Sequence, residues 1–528
     1  MAIVVAFVRN QLERVRAASR ETQLFVATFA LLLALSGSLA IAYELAPFLD
    51  WPEHLAAAAT TLHLHDPAYD LDQYYVRPTW FQPYHVFRWA QMLLGFVGGR
   101  VGLRAALLIP IWGMPLLAYV LARQTGRDRW VALAAYCITI EANLQWGFLP
   151  YATGIVVLLG CVAIFNSWVN TRRDEKLLVL AALAVVAFFT HPVPTLLVCI
   201  TLGVLATVEL ARRRLRLVET FAVAGALLPA SSLLLIFVFG SGWVSGHGTA
   251  DGSASAIPLP TWESLKGNII LAGQNSGLTL VGNTPAWCYG ASVVALGVGA
   301  SLDRLRRSSS NPAPAQWTAG TLALLFVVLS LTLPGWWKGE SLGVRVVSTA
   351  ALFVLIAIPF RATHPTGRWL VRGAIVGAAV ASLVFWQVRF ARFNRDNAGL
   401  TAIIKLVPRG ARVAMMPYSI YPDDNPLPIY LHVGGYVHAA RGGYGSFSFG
   451  HVPYKGDLKR FALTPVIWSM SSSGWRLPPI STDFYDYVVV RKGPLYSGTP
   501  FDPLPASRKK RPIKIFADDN YELWETLR

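Results

Sequence analysis

Acidic side chains are scarce in this chain. Its 29 aspartates and glutamates stand against 46 lysines and arginines, and charged residues of both signs fill only 14% of 528 positions. Soluble domains carry roughly 25% charged residues, so a water-surrounded globule of this size is excluded. Cysteine is scarcer still. Cys137, Cys161, Cys199 and Cys288 lie in or beside apolar runs and show no metal-ligand spacing; they read as packing thiols rather than a zinc module or a disulfide framework. Also missing is a concentrated basic face interleaved with stacking aromatics. The nearest approach is Arg508-Lys509-Lys510-Arg511 in a polar tail, so the formal net charge of +17 does not point to nucleic acid. No internal repeat of fixed period is visible.

What is abundant is apolar length. Hydrophobic residues make up 54% of the chain and mean hydropathy is +0.45, the signature of a polytopic membrane protein. Eleven apolar runs suit spanning helices, at about 22–44, 102–122, 129–143, 148–168, 176–190, 194–211, 217–240, 286–302, 316–334, 342–361 and 369–389. The first follows basic residues and is about 23 residues long, too long for a signal-peptide core; Ser38-Leu39-Ala40 resembles a cleavage site only weakly, and an uncleaved helix is expected.

Residues 83–98, "PYHVFRWAQMLLGFVG", form an amphipathic stretch whose placement decides the topology. If it lies in the interface without crossing, the loops at 1–21, 123–129, 166–176, 212–216, 303–315 and 361–372 share one side and hold 20 arginines and lysines. The opposite loops at 45–101, 144–147, 191–193, 241–285 and 335–341 hold Arg77, Arg88, Arg100, Lys266 and Lys338. The positive-inside rule favours that arrangement, with the N-terminus cytoplasmic and the C-terminus outside. Residues 48–75 then belong to a large external loop, which explains why they carry five acids, three histidines and no lysine or arginine. A second external loop, 241–285, is rich in Gly, Ser and Pro. After residue 389 short alternating runs such as "ARVAMMPYS", "YDYVVVRKG" and "NYELWETLR" predict a small extracytoplasmic α+β domain at 395–528, behind a membrane domain at 1–394.

Polar residues at the outer ends of these runs are the candidates for chemistry. Asp50, Glu53 and His54 stand in "FLDWPEHL", where Pro52 fits the first turn of a helix. Asp50 and His54 are four apart and can share a face; a carboxylate beside an imidazole can deprotonate an acceptor or hold a cation. The bland reading makes Asp50 a cap on a solvated face. Glu141, in "YCITIEANLQWGFLPY", is costly at that depth and faces either a polar cavity or a helix interface. His191 starts the turn in "AFFTHPVP", as a contact or a cap. Arg345 opens the tenth run, as a ligand contact or a side chain snorkelling to the headgroups. All four regions meet at one membrane face.

At these residues the sequence resembles the C-type superfamily of membrane glycosyltransferases, which take sugars from polyprenyl-phosphate carriers. "LDWPEHLAAAATTL", "WGFLPYATGIVVLLG", "FFTHPVPTLLVCITLGVLATVELARRR" and, more loosely, "ESLGVRVVS" look like a bacterial branch of it. The resemblance implies an α-helical polytopic enzyme of the inner (plasma) membrane with an early acidic residue in its first external loop. Asp50 would be the base or metal-holding carboxylate, and Glu141 a second acidic contact. Arg345 would pair with the carrier phosphate, and Glu53, His54 and His191 would contact substrate. No Asp-X-Asp pair stands near Glu141, so no metal ligand set is fixed; a divalent cation, if used, would fall to Asp50 and Glu141. The implied partners are a polyprenyl-phosphate-linked sugar, an extracytoplasmic glycan, lipid or protein acceptor, and membrane lipids. Two other classes compete. A lipid or polysaccharide translocase should show inverted repeats and mid-membrane charges, whereas the ionisable residues here sit near run ends; a non-catalytic envelope-assembly protein would keep the architecture alone.

Overall fold

The computed structural model describes residues 17–76, 83–240, 278–305, 314–333, 342–363, 365–423, 425–445, 484–494, 496–501 and 511–526, with Glu13, Lys266 and two short strands at 469–471 and 474–476. Most of loop 241–285, Arg77, Lys338 and Arg508 to Lys510 lie outside the described residues. Among the described residues six helices are long and apolar enough to cross a membrane: α1 (Arg20–Ile41), α6 (Leu149–Thr171), α8 (Pro192–Ala211), α9 (Leu217–Gly240), α10 (Thr284–Leu305) and α13 (Pro365–Asp396). The 22 residues of α1 rise about 33 Å, enough for a hydrocarbon core of roughly 30 Å. Shorter apolar helices stand among them: α4 (Leu108–Gln124), α7 (Glu175–Thr190), α11 (Pro314–Thr332) and α12 (Leu342–Ala357). The chain is thus an α-helical polytopic membrane protein with a small C-terminal sheet.

The run at 129–143 departs from expectation. It is a 3₁₀ segment, Arg129–Cys137, opened by Asp128, whose carboxylate accepts from Trp130 N at 2.9 Å, and every residue from Trp130 to Cys137 is buried. After a turn, Glu141 caps the five-residue α5 (Ala142–Trp146). A segment apolar on all sides carries no periodicity, so its sequence cannot separate 3.0 from 3.6 residues per turn. At one end of the bundle Arg372 Nη2 bonds Glu21 at 2.9 Å and Asp128 at 2.6 Å, tying α13, α1 and the 3₁₀ segment together. The other end carries the candidate residues.

At that other end α1 leads into α2 (Trp51–His63) and then α3 (His85–Ala105). Helix α3 is two limbs joined by a reversal at Gly99 (φ 55°, ψ −138°), a conformation open to glycine. A Cβ on Gly102 would stand 1.9 Å from Leu94 O, so the returning limb lies directly on the first. The limb expected to stay in the interface therefore doubles back, with Phe96 and Val97 at its tip 81% and 84% exposed.

The C-terminal part follows α13 through α14 (Ala398–Leu406). Its sheet has the order β2-β1-β5-β7-β6, with β1 (Arg412–Pro417) parallel to β2 (Tyr444–Gly445) and β5 (Tyr487–Arg491), and β7 (Tyr521–Glu525) antiparallel to β5 and β6 (Ile513–Ala517). A separate hairpin pairs β3 (Ser469–Ser471) with β4 (Gly474–Arg476). Period-two alternation divides the central strands. Val413, Met415 and Val489 pack with Trp51, Leu55 and Phe87, while Ala414, Met416, Val488 and Val490 pack with Leu64, Leu71 and Tyr75. The sheet thus shares its core with the loop after α1. Helix α15 (Gly434–Arg441) closes this contact: a Cβ on Gly435 would meet Pro52 O at 2.6 Å, and Thr60 Oγ1 lies 3.2 Å from His438 Nε2.

Candidate active site

Asp50 occupies the N-cap position of α2, yet its side chain makes no capping hydrogen bond. Its Oδ1 instead lies 3.5 Å from Nε2 of His432, a buried residue just ahead of α15. The capping reading of Asp50 therefore fails. The backbone of Asp50 is fixed from another side: Leu49 N and Asp50 N donate to the carbonyls of Gln145 and Trp146, at 3.1 and 3.2 Å. Gly147 ends α5 at φ 83°, and a Cβ there would stand 2.5 Å from Asp50 N. Only a residue without a side chain permits this approach, which explains the Gly-Phe-Leu turn.

The same turn holds His54 and Arg345 on different flanks. His54 Nε2 lies 3.1 Å from Gly147 O, and its ring meets Phe87 edge-on at 5.9 Å. Arg345, in the first turn of α12, stacks its guanidinium over Phe148 at 3.9 Å. It is 3% exposed, which rules out snorkelling to the headgroups. Its carbonyl accepts from Asn143 Nδ2 at 3.1 Å and Tyr151 OH at 2.9 Å. Its Nη1 lies 3.3 Å from Nε2 of His191.

His191 is itself the N-cap of α8, with Nδ1 accepting from Val193 N at 3.1 Å. That bond puts the proton of a neutral imidazole on Nε2, where it faces the Arg345 donor. Tyr84 and Tyr151 hold the ring edge-on at 4.9 and 5.7 Å.

Glu141 has a different setting. Its Oε2 accepts from Asn143 N at 2.8 Å and Nδ2 at 2.6 Å, and Ser348 on α12 donates to the same carboxylate. It is buried as the cap of α5, while Asp50 stands at the far end of that helix. Glu53, 1% exposed, lines a small cavity of about 20 Å³ with His432 and His438. Asp50, Glu53 and His432 thus gather at the C-terminal sheet, and Arg345 and His191 at the α6–α8 bundle; Glu141 braces the helix between them.

No family model and no curated protein matches the chain. Solved structures do. ArnT from Cupriavidus metallidurans in the apo state aligns at 13% identity and a TM-score of 0.51, covering 96% of this chain and 99% of that one. The same protein bound to undecaprenyl phosphate aligns at 13% and 0.50, covering 96% and 98%. The chain has the fold of the C-type membrane glycosyltransferases.

In this chain a divalent cation shared by Asp50 and Glu141 is poorly served. The two carboxylates flank opposite ends of α5, and Glu141 is occupied by Asn143 and Ser348. Among the described residues no group of three or more His, Cys, Asp or Glu side chains is placed to hold a metal. Sequence reading missed His432. In "PIYLHVGGYVHAAR" the signal was a histidine two residues before a Gly-Gly helix start, but its partner lies 382 positions away and only the tertiary contact reveals it.

Proposed function

We propose that this chain is a membrane glycosyltransferase that moves a sugar from a polyprenyl-phosphate carrier to an acceptor hydroxyl at the extracytoplasmic membrane face, with its N-terminus cytoplasmic and its C-terminal sheet outside. The observation that carries the reading is the α5–α6 turn. One flank holds a carboxylate beside an imidazole (Asp50, His432), and the other a guanidinium beside an imidazole (Arg345, His191). The first pair suits an acceptor proton, the second a phosphate. The ArnT structure with undecaprenyl phosphate supports a carrier of that class for this fold.

The chemistry is a single displacement. As the acceptor oxygen attacks C1 of the sugar, the Asp50 carboxylate takes its proton. The bond from C1 to the carrier-phosphate oxygen breaks and its electron pair stays on the phosphate, so the anomeric configuration inverts. The phosphate gains negative charge in this step, and Arg345 with the Nε2–H of His191 therefore binds the transition state more strongly than the ground state. His432 is a positioning residue that orients Asp50. In this scheme Glu53 sets the floor beneath that pair, His54 fixes α2 on the turn and Glu141 caps α5.

Asp50→Asn tests this. Asp50 makes no cap bond, so the variant should insert and melt like the parent, while transfer from a radiolabelled polyprenyl-phosphate sugar falls about 10²–10⁴-fold. Full activity in the variant would remove Asp50 from the reaction.

A further inference from the structure

Away from the Asp50–His432 pair, a cleft runs along α2 between the returning limb of α3 and α15. A hollow of about 330 Å³ reaching from Ala42 to Leu55 adjoins one of about 530 Å³ that extends to Leu62 and His63, and the two share Glu44, Arg100, Leu103 and Ala439 in their walls. Ala42 and Glu44 are among the first residues beyond the apolar α1, so the cleft lies where that helix leaves the bilayer.

Its charge is one-sided. Arg100, Lys405, Arg409 and Arg441 line the larger hollow, and Glu44 is the acid that lines it with them, paired to Arg100 at 3.0 Å. Two of these cations are held by further contacts. Arg441 bonds the end of α14 through the carbonyls of Ile404 and Lys405, and Arg409 lies over the Tyr69 ring at 5.2 Å. Burial, then the like charges of Arg100 and Arg409, lower the pKa of Arg441 below its ordinary value. Fixed cations that repel one another are a preorganised anion site. The mouth is apolar: Phe96 lines it at 81% exposure, beside Val97 and Leu93 at 84% and 69%.

We propose that this cleft binds the phosphate-bearing headgroup of an anionic membrane lipid, with the acyl chains lying against the α3 tip. Both halves of the ligand are matched, anion by the three cations beyond the Arg100–Glu44 pair and hydrocarbon by the exposed apolar tip, and a free anion would use only the first. The site requires no reaction and so stands or falls separately from glycosyl transfer.

The test titrates full-length protein in neutral detergent with fluorescent phosphatidylglycerol and, in parallel, with the matching phosphatidylcholine. The anionic lipid should bind about tenfold tighter and lose that advantage as salt rises. Lys405→Gln combined with Arg409→Gln alters two exposed side chains; it should abolish most of the difference with an unchanged melting temperature. Arg123→Gln combined with Arg173→Gln removes the same charge at the opposite end of the bundle and should leave it intact. Equal affinity for the two lipids, equal loss in both double variants, or displacement of the lipid by millimolar inorganic phosphate would each overturn the proposal.

Discussion

Arginine 345 separates two kinds of positive charge. A side chain that only anchors a helix to headgroups is replaced well by lysine, but this one sets its guanidinium carbon 3.9 Å from the centre of the Phe148 ring and presents Nη1 to His191. Lysine has neither the plane to stack nor the fork to share an oxygen. Arg345→Lys should therefore weaken use of the lipid-linked donor about tenfold to hundredfold, the cost of a charge-assisted hydrogen bond, with insertion unchanged. Donor-concentration dependence in matched membranes measures it; parental donor affinity in both Arg345→Lys and Arg345→Gln would place the carrier phosphate elsewhere. Gly147 sets a second test. Gly147→Ala forces φ 83° on a residue with a Cβ and drives that atom to 2.5 Å from Asp50 N. The expected outcome is roughly 1–3 kcal/mol of lost stability, read by thermal unfolding, together with reduced transfer, because Asp50 is displaced.

At the level of elements, the hairpin in α3 hangs on a glycine pattern that the sequence states plainly in "LLGFVGGRVG" without saying which glycine matters. Gly98 has no atom within 4 Å of a built Cβ, whereas at Gly102 that Cβ meets Leu94 O at 1.9 Å. Gly98→Ala should thus leave the melting temperature within a degree or two of the parent, while Gly102→Ala should lower it by several degrees in the same detergent. Equal melting temperatures for the two variants would show that the limbs do not lie on one another. The 3₁₀ segment is the opposite case. Its apolar composition promised burial, which it has, but a uniformly apolar run fits either helix type, and its geometry came from the elements packed around it.

For the whole molecule, the decisive feature is that the C-terminal sheet and the loop after α1 share one core. Trp51 and Leu55 are 0% and 5% exposed and share one apolar cluster with residues of β1, β5 and α15. Fully burying an apolar side chain is worth about 1.5–3 kcal/mol, so several such contacts rival the stability of a whole domain. A chain ending at residue 394 should therefore aggregate or be degraded instead of accumulating as a monodisperse membrane domain, as size-exclusion chromatography in detergent would show. The same contact fixes relative topology. A reporter at residue 67 and one at the C-terminus should label on the same side of the membrane, and one at 212–216 on the other; a C-terminus on the side of 212–216 would contradict the bundle.

The sequence alone determined what depends on composition and on near neighbours along the chain: a polytopic helical membrane protein, strands in its C-terminal part, and polar residues at the ends of apolar runs. Burial in lipid demands long apolar runs, and strands demand alternation, so both are written locally. What the tertiary structure decided is which of those polar residues meet. The family resemblance set Asp50 and Glu141 together as acidic contacts, yet α5 stands between them, and Asp50 turns to His432, 382 positions along the chain. Contacts across hundreds of residues follow from packing and from where glycine leaves room, as at Gly147 and Gly435, and a linear reading sees the glycine but not the neighbour that needs its space.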